Sequence, residues 1–139
     1  MNYRTTSYTE IEAAVSRYAA EITGFDPSDW SNNLDNWALS NDNGDIALFE
    51  QEYAGVYSGH YFFLSRGKEA VKAAKSLLKS FWTMNEDAKV IRGLTPLENL
   101  GARWMNRQLK FKSYGVVKTP VGPCELVILT KEEWRINNE

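Results

Sequence analysis

Residues 60–74, HYFFLSRGKEAVKAA, bring together side chains that can do chemistry: a histidine, a row of aromatics, then Arg66-Gly67-Lys68 opening a helical pattern. An apolar strand that ends in a glycine turn and runs into a helix aims unpaired helical N–H groups at one place, which is how a fold offers a site to a phosphate. The ordinary reading of the same residues is a strand-to-helix connection in which Gly67 supplies a positive φ and both cations are solvated. His60 is the sole histidine and the one side chain whose unperturbed pKa lies near neutrality. Strand alternation places His60, Phe62 and Leu64 on one face and Tyr61 and Phe63 on the other. If the first face lines a cleft, His60 is a general base; otherwise it is a hydrogen-bonded ring packed among aromatics. Glu50 and Glu52 on the neighbouring strand are alternative bases acting through water, or exposed strand carboxylates. Cys124, the single cysteine, excludes an internal disulfide and any Cys-based zinc site. It sits in an apolar alternation where a buried, inert thiol is expected, and no metal site is expected.

The elements that must position these residues are legible in outline. A short strand over 2–6 precedes a helix with Thr9 and Glu12 as capping box and Ile11, Val15, Tyr18, Ala19 and Ile22 on one face, stopped by Gly24. Phe25 to Asn36 reads as a long polar loop of the kind that covers a site. Trp37–Ser40, Asp45–Tyr53 and Val56–Leu64 form an antiparallel meander through turns at Asn43-Gly44 and Gly55. A helix over Lys68–Trp82 buries Val71, Ala74, Leu78 and Phe81, and its lysines at 68, 72, 75 and 79 form a solvated row. A strand over Lys89–Gly93 is followed by a helix introduced by Thr95-Pro96. A hairpin of Lys112–Thr119 and Cys124–Thr130 closes through Pro120-Val121-Gly122-Pro123. Residues 131–134 are a short helix or a frayed tail. Trp30, Trp37 and Trp134 form a partner-binding patch or are partly buried under the long loop.

With 139 residues and 43% hydrophobic content, the chain can bury one sizeable core, so a single domain over 1–139 is expected. A net charge of -2 gives no basic field for nonspecific nucleic-acid binding, so any positive site must be local. No apolar run approaches the roughly 20 residues needed to span a bilayer, and the N-terminus lacks a signal-peptide core, so no membrane partner and a cytoplasmic location are expected.

Strand, helix, three-strand meander, Arg-Gly turn, helix, strand, helix and final hairpin resembles the GNAT N-acetyltransferase superfamily over most of the chain. That resemblance implies an α/β fold with a mixed, mostly antiparallel sheet flanked by helices and with splayed central strands. The family's phosphate turn, Gln/Arg-x-x-Gly-x-Gly/Ala, fits with its first glycine on Gly67, which puts Leu64 at the first position and Glu69 at the last. A second landmark is Asn99-x-x-Ala102 followed by Leu109-Lys110-Phe111, where the family writes Asn-x-x-Ala and then Leu-Gly-Phe. By this resemblance acetyl-CoA would lie where the strand ending at Leu64 diverges from the strand at 89–93. Amides near Phe62, Phe63 and Leu64 would bond the pantetheine, those of Arg66, Gly67, Lys68, Glu69 and Ala70 would hold the pyrophosphate, and Asn99 would complete the cofactor site. The partners implied are an acyl-CoA and an unidentified amine acceptor.

Two positions depart from the pattern. The family's usual acid is a tyrosine seven residues after the helical asparagine, and here that position is Asn106. Glu69 stands where the last glycine belongs; its repulsion of a phosphate is about 2 kcal/mol before screening, comparable to what a helix N-terminus offers an anion. The segments 60–70, 93–99 and 122–126 also resemble GNAT-like bacteriophage proteins, some of which carry a head-assembly label. That narrower resemblance implies phage structural proteins as partners. Two functions therefore stand side by side: acyl transfer from acetyl-CoA to an amine, and a non-enzymatic virion-assembly or accessory role on a degenerate scaffold.

Overall fold

The computed structural model describes residues 1–16 and 27–138. The expected helix positions Tyr18, Ala19 and Ile22, the stop at Gly24 and the first residues of the long loop lie outside them. The described elements are β1 (Tyr3–Thr5), α1 (Tyr8–Ser16), α2 (Pro27–Asn32), β2 (Trp37–Ser40), β3 (Ile46–Tyr53), β4 (Val56–Phe62), α3 (Gly67–Met84), β5 (Val90–Pro96), α4 (Leu100–Gln108), β6 (Lys112–Thr119), β7 (Gly122–Thr130) and α5 (Lys131–Asn138).

The strands form one seven-stranded sheet in the order β1-β2-β3-β4-β5-β7-β6. Every neighbouring pair is antiparallel except β4 with β5, which is parallel. Each face of the sheet buries its own cluster. On one, α3 packs Ala74, Leu77, Leu78, Phe81 and Trp82 against Leu39, Phe49, Tyr57, Phe63, Ile91 and Leu129. Phe81 stacks on Phe49 with ring centroids 4.0 Å apart, so aromatic contact adds to area burial at the centre of this layer. On the other face, Ile11, Ala14, Val15 and Trp30 cover Ala38, Ile46, Leu48 and Phe62. Alternation along β4 is thus as the sequence implies, with Phe62 on one side and Tyr61 and Phe63 on the other.

Several local expectations are corrected. The cap of α1 is Ser7 rather than Thr9: Ser7 Oγ accepts from the Glu10 amide and Ser7 C=O from Ile11 N–H. Glu10, not Glu12, is the acidic partner, and its carboxylate accepts from Thr5 Oγ1 and Tyr3 OH, tying the helix start to β1. The supposed loop contains the helix α2, and Trp30 is buried in the core there. β4 stops at Phe62, so Leu64 does not continue its face. β5 runs on to Pro96, which pairs with Cys124 and so cannot open the next helix. α4 instead begins after Asn99, and residues 131–138 are helical. Partial burial describes the other two tryptophans: Trp37 lies under the Arg4 guanidinium at 3.6 Å and Trp134 packs against the α3-side core. Among the described residues no helix is long and apolar enough to cross a membrane.

α4 ends in a tight hydrogen-bonded wrap in which Phe111 N–H reaches Asn106 C=O and Lys110 N–H reaches Arg107 C=O. Lys110 has φ +67 there, in the left-handed region that favours glycine. This is the position where the sequence carries Leu-Lys-Phe in place of Leu-Gly-Phe.

Candidate functional site

β4 and β5 pair only at Val56↔Val90, Tyr57↔Ile91 and Ser58↔Arg92. β5 nevertheless stays paired to β7 all the way from Val90 to Pro96, and β4 stays paired to β3 up to Phe62. The two strands therefore fork after Ser58 and Arg92, each held by its other neighbour, and residues 59–61 have no strand partner on the β5 side. A cleft of about 790 Å³ fills the fork. Its walls include His60, Phe62, Phe63, Arg66, Gly67 and Ala70 from the β4–α3 side and Asn99 and Asn106 from the β5–α4 side. Leu64, Lys68 and Glu69 are not among the lining residues; all three are exposed where the turn meets solvent.

α3 starts at the head of this cleft. Its N-cap residue, Arg66, has extended backbone angles and no side-chain cap, so no side chain closes off the first-turn amides of residues 67–69. The Arg66 guanidinium folds back to donate to Phe63 C=O at 2.8 Å and Ser65 C=O at 3.3 Å. Gly67 has φ +57, and nothing lies within 4 Å of where its Cβ would be. Glycine is therefore required by the backbone while the space beside it stays open, which suits close approach of a bulky anion.

The amide expected to serve at Leu64 is engaged within the protein. Leu64 N–H donates to Asp45 Oδ1 at 2.7 Å, and Ser65 N–H donates to the same oxygen at 2.8 Å. That backbone group is already satisfied inside the protein. Asn99 is likewise engaged locally, where its Oδ1 accepts from Ala102 N–H at 3.1 Å and caps α4. Asn106 is buried and donates from Nδ2 to Thr95 Oγ1 at 2.9 Å, strapping α4 to β5.

His60 is open to the cleft but hemmed in by protein, and the lost hydration holds its pKa below the ordinary 6.5, with the Glu52 carboxylate pulling the other way. Glu52 itself pairs with Arg92 at 2.6 Å and accepts from Ser58 Oγ, while Glu50 is exposed. Burial pushes the Tyr61 phenol far above the ordinary tyrosine range, so it enters the cleft wall as a fixed proton carrier. Cys124 is buried, within 3.6 Å of Thr119 Oγ1.

Asp45, Ser65 and Tyr61 are the site residues that sequence reasoning missed. Only for Asp45 was there a local signal, the Asn41-x-x-x-Asp45 spacing around Gly44, and that spacing does not reveal the contact across to residue 65.

No protein-family model and no curated protein matches the sequence. Solved structures do match. The aminoglycoside acetyltransferase AAC(6')-Ib, in a complex with paromomycin and acetyl-CoA, superposes with TM-score 0.68 at 16% identity, covering 100% of this chain and 97% of that one. Aminoglycoside 6'-acetyltransferase type Ii gives TM-score 0.70 at 12% identity over 94% of this chain and 96% of that chain. A GNAT-family acetyltransferase from Bacillus anthracis gives 0.65 at 14% identity over 95% and 96%. At this level of identity the likeness is one of fold: a mixed, mostly antiparallel sheet flanked by helices, as in these acetyltransferases.

Proposed function

We propose that this protein is a single-domain N-acyltransferase, residues 1–139, that takes an acyl group from acetyl-CoA and passes it to an amine. The observation that supports this most strongly is the fork between β4 and β5 leading directly to the uncapped amides of α3. A CoA diphosphate would be held by the amides of residues 67–69, with the Gly67 opening admitting it and Arg66 and Lys68 adding positive charge. A volume of about 790 Å³ falls within the range for small-molecule and cofactor sites. Acetyl-CoA supplies an activated thioester, and no covalent intermediate on the protein is needed when the cleft aligns an amine beside it.

His60 is the general base in this scheme. Because its pKa is lowered, the ring is neutral at pH 7 and able to accept a proton from an attacking amine. Glu52 is committed to Arg92 and Ser58 and is the poorer base. Asn106 has no proton to give a leaving thiolate, and its Nδ2 is already donated to Thr95. The thiolate leaves without an acid at that position.

The virion-assembly alternative draws on the sequence resemblance to phage proteins, and the Glu69 carboxylate in the first turn of α3 favours it. Acetyl-CoA titrated while melting temperature is followed separates the two. At 100 times its dissociation constant a ligand adds about 2.7 kcal/mol of stability. Acyl transfer requires that shift; its absence at millimolar acetyl-CoA leaves the assembly role. If turnover follows, the acid limb of kcat/KM lies below pH 6.5, because a depressed pKa keeps the ring deprotonated further into acid. His60→Gln should slow turnover and remove that limb while retaining acetyl-CoA binding.

A further inference from the structure

We infer that Asp45 is a positioning residue for this site: its buried carboxylate pulls the chain off the sheet after β4 and so aims the first amides of α3 into the cleft. The inference rests on the acyl-CoA reading above for its ligand, and on geometry for the rest.

Asp45 is fully buried, and the groups that donate to its carboxylate are all neutral. Oδ1 accepts from the amides of Leu64 and Ser65, and Oδ2 accepts from Ser65 Oγ at 2.6 Å and Asn41 Nδ2 at 3.1 Å. In a strand successive N–H groups point to opposite edges, so two consecutive amides cannot both reach one oxygen while the chain stays extended. Ile46↔Phe62 is the last rung between β3 and β4, and Asp45 stands one residue beyond it. Its side chain takes over where the ladder would have continued. The chain then turns through Ser65 into Arg66, whose extended angles make it the N-cap of α3.

The brace is itself held. Asn41 Oδ1 accepts from the amides of Asn43 at 3.0 Å and Asp45 at 3.1 Å, which closes the loop that carries the carboxylate. That loop lies directly on the turn: a Cβ on Gly44 would sit 2.9 Å from Leu64 Cδ1. Burial alone would raise the Asp45 pKa, but the hydrogen bonds from Ser65, Asn41 and Leu64 outweigh it and hold the carboxyl below its ordinary value. The group is therefore ionised at neutral pH and binds its donors through charge-assisted bonds. Three of the four bonds converge on the turn at Leu64 and Ser65 and the fourth ties the carboxylate to Asn41, which points to orientation of that turn as what the carboxylate provides.

Asp45→Asn keeps the shape but sets an amide where Oδ2 accepted from Asn41. Amide hydrogen exchange without ligand is read first: the bonded amides of the turn, those of Leu64, Ser65 and Ala70, should exchange at least tenfold faster, while the middle of α3 around Leu77 and Leu78 stays protected. Unchanged exchange at these three amides overturns the inference. Calorimetric affinity for acetyl-CoA is read next and should weaken about tenfold, the size expected for an unpaired buried group. Ser65→Ala, which leaves both amide bonds to Oδ1 in place, should weaken it about threefold and serves if Asp45→Asn does not fold. A wild-type protein that binds acetyl-CoA while both variants bind it equally well overturns the inference alone. A wild-type protein with no affinity for acetyl-CoA overturns the acyltransferase reading, and the ligand role of Asp45 with it.

Discussion

The helices α3 and α4 both begin at the edge of the same cleft, yet they begin in opposite ways. α4 is closed by its own sequence, with Asn99 Oδ1 on the Ala102 amide. α3 is preceded by Arg66, whose side chain turns away to Phe63 C=O and leaves the first-turn amides without a side-chain acceptor. A capped terminus gains stability from within the chain, typically about 1 kcal/mol. An uncapped terminus at a concave site forgoes that gain and keeps its donors for an external anion. On the proposed reading the contrast leaves Asn99 to architecture and the amides of residues 67–69 to the ligand, although Asn99, Arg66 and Gly67 line the same cavity.

Substitutions can break the contrast or sharpen it. Gly67→Glu should have the largest effect: a carboxylate at the open phosphate position, on a backbone with φ +57, should lower acetyl-CoA affinity at least 100-fold by calorimetry. Arg66→Ser would give α3 the cap that α4 has. Affinity should fall about tenfold, while the new cap and the lost Phe63 bond offset each other to within about 1 kcal/mol in chemical denaturation. Asn99→Ala should do the reverse, costing about 1 kcal/mol of stability and weakening acetyl-CoA less than Arg66→Ser does. Lys110→Gly acts at the far end of α4, relieving a left-handed lysine. It should raise stability by about 1 kcal/mol, read as an upward shift in melting temperature.

What the sequence disclosed and what it hid follow from how far each interaction reaches. The Arg66-Gly67-Lys68 turn, the long amphipathic α3 and the meander before it were legible because their causes are local. Asn99-x-x-Ala102 was visible as a pattern, and the structure supplies its physical meaning: a side-chain oxygen accepts from an amide three residues on. The cap of α1 was misplaced because Thr9-x-x-Glu12 and Ser7-x-x-Glu10 have the same spacing. The choice between them is made by Thr5 and Tyr3 from β1, which bond to Glu10. Asn43-Gly44 read as an ordinary hairpin turn, and nothing near it announces that the next residue holds a segment 20 positions away. Pro96 carried a helix-start signal that the pairing with β7 overrides.

The parallel junction has one more consequence, mechanical in kind. Three rungs, with the Gly55 C=O accepting from the Lys89 and Val90 amides at their head, join β1-β2-β3-β4 to β5-β7-β6, so the sheet is two antiparallel leaves joined along a short seam. The chain crosses that seam once, by way of α3. A nick in the turn at Glu86-Asp87 would leave each leaf with its internal ladders complete, and two such fragments should find one another again, all the more readily with a molecule wedged between them.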